Sequence, residues 1–163
     1  MDGQEIPNPW PGHCFGCSPH NPHGLQLKFF RSEGGCYTRY TVPDRFCGWA
    51  GIAHGGILAA LLDEVGGWTV IAALGQFGVT GSFSLRYVKP VPTNAELLIK
   101  GEIIKHSRRF AIIRGTIHDP DGALLVEAES RWLIPTGTQL EQFTGMDAAR
   151  LQQFFDQIAV TQE

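Results

Sequence analysis

Between His54 and Leu74, Leu, Ile and Ala recur at helical spacing, and the pattern stops at Gly75. No other stretch of this chain reads as a helix of that length, so the fold must be organised around it. The segments on either side read as strands. Gly24 to Ser32 largely alternates, with Leu25, Leu27 and Phe29 on one side. Glu33-Gly34-Gly35 then turns it into a second strand, Cys36 to Val42. After the helix come four runs rich in β-formers: Val79 to Val88, Glu96 to His106, Arg109 to His118 and Ala123 to Ile134. Turn-like breaks separate them, of which Ser107-Arg108 and Asp119-Pro120-Asp121-Gly122 are typical of hairpins.

Two strands, a long helix and four strands form an α+β pattern. The four later strands are expected as an antiparallel meander, with the sheet wrapped around the helix and its other face open. In the tail, Leu151, Phe154, Phe155 and Ile158 stand at helical spacing, which predicts a short amphipathic helix over Met146 to Ile158 packed on the outside. The expected organisation is an N-terminal loop segment over 1–23, one domain over 24–135 and a tail over 136–163.

Of the 163 residues, 43% are hydrophobic and 18% charged, enough for a packed interior. The apolar stretch Gly66 to Gly78 is broken by glycines and follows Asp63 and Glu64, so no bilayer span is expected. Met1-Asp2-Gly3-Gln4-Glu5 has no basic start followed by an apolar run, which leads to the expectation of a cytoplasmic protein. A net charge of −3 offers no general field for a phosphate backbone, so nucleic-acid binding is not expected. The four cysteines are read as reduced thiols, with Cys36 and Cys47 buried or half-buried.

The helix start carries the chemistry. His54-Gly55-Gly56 offers backbone N–H groups without side-chain obstruction, at the end where the helix dipole favours negative charge. The plain alternative is that the glycines only permit a turn. Asp63 shifts the balance, being a carboxylate inside an otherwise apolar helix. Gly56, Ala59, Ala60, Asp63, Gly66 and Gly67 share one side, a small-residue groove, while Ile57, Leu58, Leu61, Leu62 and Val65 share the other. At 1.5 Å per residue, Gly55 and Asp63 lie ~12 Å apart along the axis. They cannot both touch one carbonyl unless they come from different subunits, so a site using both implies a dimer.

The run Ala50-Gly51-Ile52-Ala53 into His54-Gly55-Gly56 and Asp63, then Val79-Thr80 and Arg86-Tyr87-Val88-Lys89-Pro90-Val91-Pro92, resembles the phenylacetate-pathway-type hot-dog thioesterases over roughly Gly24 to Ile134. The resemblance implies a hot-dog fold: an antiparallel sheet wrapped around one central helix. It also implies an acyl-CoA thioesterase, in which Gly55 N–H polarises the thioester carbonyl and His54 supports that helix end. Asp63 would be nucleophile or general base, and Thr80 would help place the water. Gly56 and Gly48 would border the carbonyl. At Gly48 some relatives have an Asn, and this chain has no side-chain donor there. Glu64, rotated about 100° from Asp63, is expected to face elsewhere. For the coenzyme A phosphates the best basic group is Lys105-His106-Ser107-Arg108-Arg109, with Lys105, Arg108 and Arg109 as ligands and Arg86 and Lys89 as weaker ones.

Cys14-Phe15-Gly16-Cys17, near His13, His20 and His23, makes a zinc site conceivable. The second paired ligand set is missing, so the segment is read as a loop covering the dimer groove, with no metal and no cofactor beyond coenzyme A as part of the substrate. The leading expectation is hydrolysis of a medium-chain or aromatic acyl-CoA by a homodimer or dimer of dimers. The alternatives are a 3-hydroxyacyl-thioester dehydratase, using a His with a carboxylate, and a non-catalytic acyl-CoA-binding module. There is no Gly-x-Ser-x-Gly elbow, Walker-type loop or dinucleotide fingerprint.

Overall fold

The computed structural model describes residues 3–159. A seven-stranded antiparallel sheet packs against one long helix, the hot-dog arrangement. Its strands are β1 (Glu5–Ile6), β2 (Phe29–Ser32), β3 (Gly35–Thr41), β6 (Val79–Tyr87), β7 (Glu96–His106), β8 (Phe110–His118) and β9 (Leu124–Leu133). A separate ribbon pairs β4 (Cys47–Trp49) with β5 (Ile52–Ala53). The helices are α1 (Gly55–Leu74), α2 (Gly137–Thr144) and α3 (Ala148–Ala159).

The strand order is β1-β2-β3-β7-β8-β9-β6, which corrects the expected four-strand meander. Of the four later strands, only β7, β8 and β9 follow one another in the sheet. The strand after the helix crosses to the far edge and pairs with β9, with Thr80 opposite Trp132 and Tyr87 opposite Val126. The helix explains this: α1 lies across the sheet and delivers the chain to the edge beyond β9, while β7 takes the place beside β3.

The expected strand from Gly24 also shortens, to Phe29–Ser32. Leu25, Leu27 and Phe29 are all buried, so the alternation was real. However, Gln26 has φ 52, and the N–H groups of Leu25 and Leu27 bond to the carbonyls of Phe15 and Gly16. The left-handed residue and the local partners take this stretch out of the sheet. β1, the β4–β5 ribbon and α2 are further elements the pattern did not reveal. Cys36 is buried as expected, but Cys47 is exposed, because it lies on the short ribbon whose strand β4 is exposed at all three residues.

Leu58, Leu61, Leu62 and Val65 of α1 are buried, together with Leu97, Ile99, Ile117 and Val126 of the sheet. Each such side chain contributes roughly 1.5–3 kcal/mol. Helix α1 has 20 residues, and an 18-residue window of it has a mean hydropathy of 1.7, long and apolar enough to cross a bilayer, contrary to the estimate from Gly66 to Gly78. Half of that window is buried, as in the core helix of a sheet-covered fold. Gly66 does not line an open groove as expected. A Cβ there would meet the Trp132 ring at 2.8 Å, so the indole fills the space the glycine leaves.

The amphipathic tail helix is present as α3, with Leu151, Phe154 and Ile158 buried. Arg31 ties it down, donating to Ala72 O at 3.1 Å and to Ile158 O at 2.8 Å. One guanidinium thus joins β2 to the last turns of both α1 and α3, whose carbonyl ends favour a cation.

Candidate active site

The ribbon strand β5 runs straight into α1. His54 stays extended (φ −65, ψ 133) as the residue capping the helix, and its Nδ1 accepts from Gly56 N–H at 2.9 Å. An imidazole therefore does what Ser, Thr, Asp or Asn usually does. The Gly56 N–H, expected to be open to a ligand, is already satisfied. The N–H groups of Ile57 and Leu58 return to His54 O. The Gly55 N–H has no acceptor among the described residues, so it is the donor left at the positive end of the helix. Tyr87 Oη donates to Gly55 O at 2.9 Å and fixes this first turn to the end of β6. Gly48 lies alongside: a Cβ there would stand 3.4 Å from His54 Cα.

Two turns further on, Thr80 Oγ1 donates to Asp63 Oδ1 at 2.7 Å. Asp63 is half-buried, with its carboxylate at the wall of a cavity of about 370 Å³. Trp68, Trp132, Phe77 and Phe154 supply most of the apolar wall. Trp10 closes one side, edge-on to both Phe77 and Phe154 at 5.8 and 5.9 Å.

Glu64 does not face elsewhere: it lines the same cavity as Asp63. The 100° rotation separates the two side chains on the helix, but the N-terminal segment folds over the Glu64 side and makes one wall of both. Cys14 Sγ donates to the Glu64 oxygens at 3.5 and 3.6 Å. Burial pushes the Glu64 carboxyl up to about 7. The hydrogen bond between the two thiols draws Cys14 down and pushes Cys17 up, with burial adding to the latter.

Lys105, Arg108 and Arg109 are exposed around the β7–β8 turn. The register places that turn at the Thr80 end of the sheet, because His106 faces Ala111, Ala111 faces Trp132 and Trp132 faces Thr80. Arg86 is paired with Glu127 at 2.6 Å, so part of its charge is already engaged. Lys89 is exposed beyond the end of β6. The candidates therefore fall into two groups within one chain: His54, Gly55, Gly56, Gly48 and Tyr87 at one end of β6, and Asp63, Thr80 and the basic turn at the other. Phe77 and Trp68 are aromatics the sequence offers as pocket-lining, and both do line the cavity, whereas sequence reasoning missed Glu64 and the Trp10 and Phe154 rings that complete the cap. The Cys-x-x-Cys spacing was the visible signal for the first, and the apolar stripe of the tail for the second.

The thioesterase superfamily model matches residues 50–126, which contain the helix start, Asp63 and Thr80. Solved structures agree on the fold. A hypothetical thioesterase from Streptococcus pneumoniae TIGR4, solved with coenzyme A, is 27% identical, with a TM-score of 0.62 over 67% of this chain and 85% of that one. Another thioesterase superfamily protein is 28% identical, with a TM-score of 0.68 over 74% of this chain and 62% of that longer one. A Streptococcus mutans UA159 protein bound to acetyl-CoA has a TM-score of 0.64 at 21% identity, covering 76% of this chain and 97% of that one. A search of curated protein sequences returned no match.

Proposed function

We propose that this chain is an acyl-CoA thioesterase, working as a homodimer or dimer of dimers on a medium-chain or aromatic acyl group. The observation that carries the reading is the Asp63–Thr80 hydrogen bond at the wall of an apolar cavity. A carboxylate held there by a hydroxyl is placed to activate water, or to attack, at a carbonyl carbon. The thioester oxygen needs a donor as charge develops on it, and Gly55 N–H is the available group.

One chain cannot supply both, since the two lie ~12 Å apart along α1. β6 offers a route to a second copy. It is the last strand of the sheet, nine residues long, with Val79 and Tyr87 exposed. A long unprotected edge pairs readily with another strand. Antiparallel pairing of two β6 strands sets the Thr80 end of one against the Tyr87 end of the other, and so Asp63 near the partner's helix start. The basic turn at the Thr80 end then borders the same composite site, where it suits the phosphates of coenzyme A. The pneumococcal and Streptococcus mutans proteins, solved with coenzyme A and acetyl-CoA, support this ligand class. The cavity of about 370 Å³, closed by aromatic rings, supports a medium-length or aromatic acyl group over a long one.

The test is thiol release from short, medium, long and aromatic acyl-CoAs, with the oligomeric state measured in the same preparation. Hydrolysis peaking at medium or aromatic chains, by a dimer or tetramer, is the expected result. Acyl-CoA binding without hydrolysis would overturn the assignment in favour of a dehydratase or a binding module.

A further inference from the structure

Outside the Asp63–Thr80 pair, the N-terminal segment brings two thiols onto a carboxylate. Ser18 N–H bonds to Cys14 O at 3.2 Å, a tight turn that sets Cys14 and Cys17 on the same side. Both meet Glu64 of α1, and the donor atoms of the three residues lie within 4.8 Å of one another. We infer that Cys14, Cys17 and Glu64 form a binding site for one thiophilic divalent cation of the zinc class, with a fourth coordination position opening into the cavity.

Three observations carry this. The first is spacing. A tetrahedral ion with sulfur at about 2.3 Å and oxygen at about 2.0 Å separates those two atoms by ~3.5 Å. Cys14 Sγ stands 3.5 and 3.6 Å from the Glu64 oxygens. The second is the residue between the cysteines. A Cβ at Gly16 would lie 2.3 Å from the Glu64 carboxylate, so only glycine lets the carboxylate reach the loop. The third is charge. Cys17 is 7% exposed and Glu64 half-buried, yet among the described residues no Lys, Arg or His forms an ion pair with Glu64. A half-buried carboxylate beside two thiols has no cationic partner among the described residues, and a bound cation supplies one. Thiolate donors select zinc-like ions over magnesium or calcium, and coordination releases the thiol protons to solvent. Cys14, Cys17 and Glu64 all line the cavity, so a three-ligand site leaves its remaining position facing it.

The test needs no substrate, so it is independent of the thioesterase reading. The full chain is purified without chelator, its metal content measured, and the reduced apoprotein titrated with cobalt(II). The expected result is close to one equivalent of zinc, and a thiolate-to-cobalt charge-transfer band saturating at one equivalent. Cys14→Ser and Cys17→Ser should lose the band, Glu64→Gln should weaken affinity by ~10-fold or more, and Cys47→Ser should keep it. Circular dichroism checks that the variants fold, and the wild-type titration decides the matter even if they do not. Reduced wild type that holds no zinc and gives no cobalt band overturns the site, as does a band that survives in folded Cys14→Ser and Cys17→Ser.

Discussion

Thr80 Oγ1 donates to Asp63 Oδ1 at 2.7 Å, joining the middle of the central helix to the start of the strand at the sheet's open edge. That bond leaves one carboxylate oxygen for a water or a carbonyl carbon. Asp63→Asn should lower kcat for thioester hydrolysis by ~10²–10⁴-fold, the usual worth of a positioned acid–base group, with acyl-CoA affinity retained. Thr80→Val should cost roughly tenfold, the equivalent of one hydrogen bond to a charged group. Steady-state kinetics with equilibrium ligand binding separates the two effects. Undiminished hydrolysis by Asp63→Asn would remove this carboxylate from the mechanism.

Gly55 occupies the first helical position, where proline is tolerated because its missing N–H has no helical partner. The preceding His54 already has the extended geometry that proline demands of its neighbour. Gly55→Pro should therefore keep the melting temperature within a few degrees while deleting the proposed oxyanion donor. An ~10²–10³-fold fall in kcat is expected. Retained activity in a folded Gly55→Pro protein would assign carbonyl polarisation to another group.

Gly66 and Trp132 are a matched pair. Gly66→Val should destabilise the protein by about 1–3 kcal/mol through overpacking. Trp132→Leu should relieve part of that cost, so the double variant is less destabilised than the sum of the singles in denaturant titrations. Additivity would mean that the indole and the helix backbone do not limit one another.

Arg31→Ala should release the tail helix, since it removes both carbonyl contacts to Ala72 and Ile158 at once. Losing charged hydrogen bonds of this kind costs about 1.5–3 kcal/mol each at most. Hydrogen exchange is the readout: α3 amides should lose protection while those of β7 and β8 keep theirs.

The long helix and the β7–β8–β9 hairpins were legible because each rests on local signals: helical spacing ended by Gly75, and strand alternation broken by turn residues. The place of β6 was not legible, since its pairing with β9 depends on where the helix sets the chain down. The Asp63–Thr80 neighbourhood could be anticipated from a resemblance, but its contact distance could not. Glu64 was misjudged for a physical reason. Helix geometry alone places it away from Asp63, and only the fold of the N-terminal segment across that side brings both to one cavity. Likewise, the alternation of Leu25, Leu27 and Phe29 predicts burial correctly but not pairing, which Gln26 interrupts with its positive φ.

The position of β6 also sets an order of assembly. Thr80 is made early, yet the strand that carries it finds its neighbour only when Leu124–Leu133 has been synthesised. Helix α1 can collapse onto β3, β7 and β8 before then, but the threonine has no rigid support until the sheet's last strand arrives. A nascent or truncated chain ending before β9 would hold Asp63 without its partner. The Asp63–Thr80 contact is thus tied to completion of the sheet, and so, on the proposed reading, is any hydrolysis that depends on it.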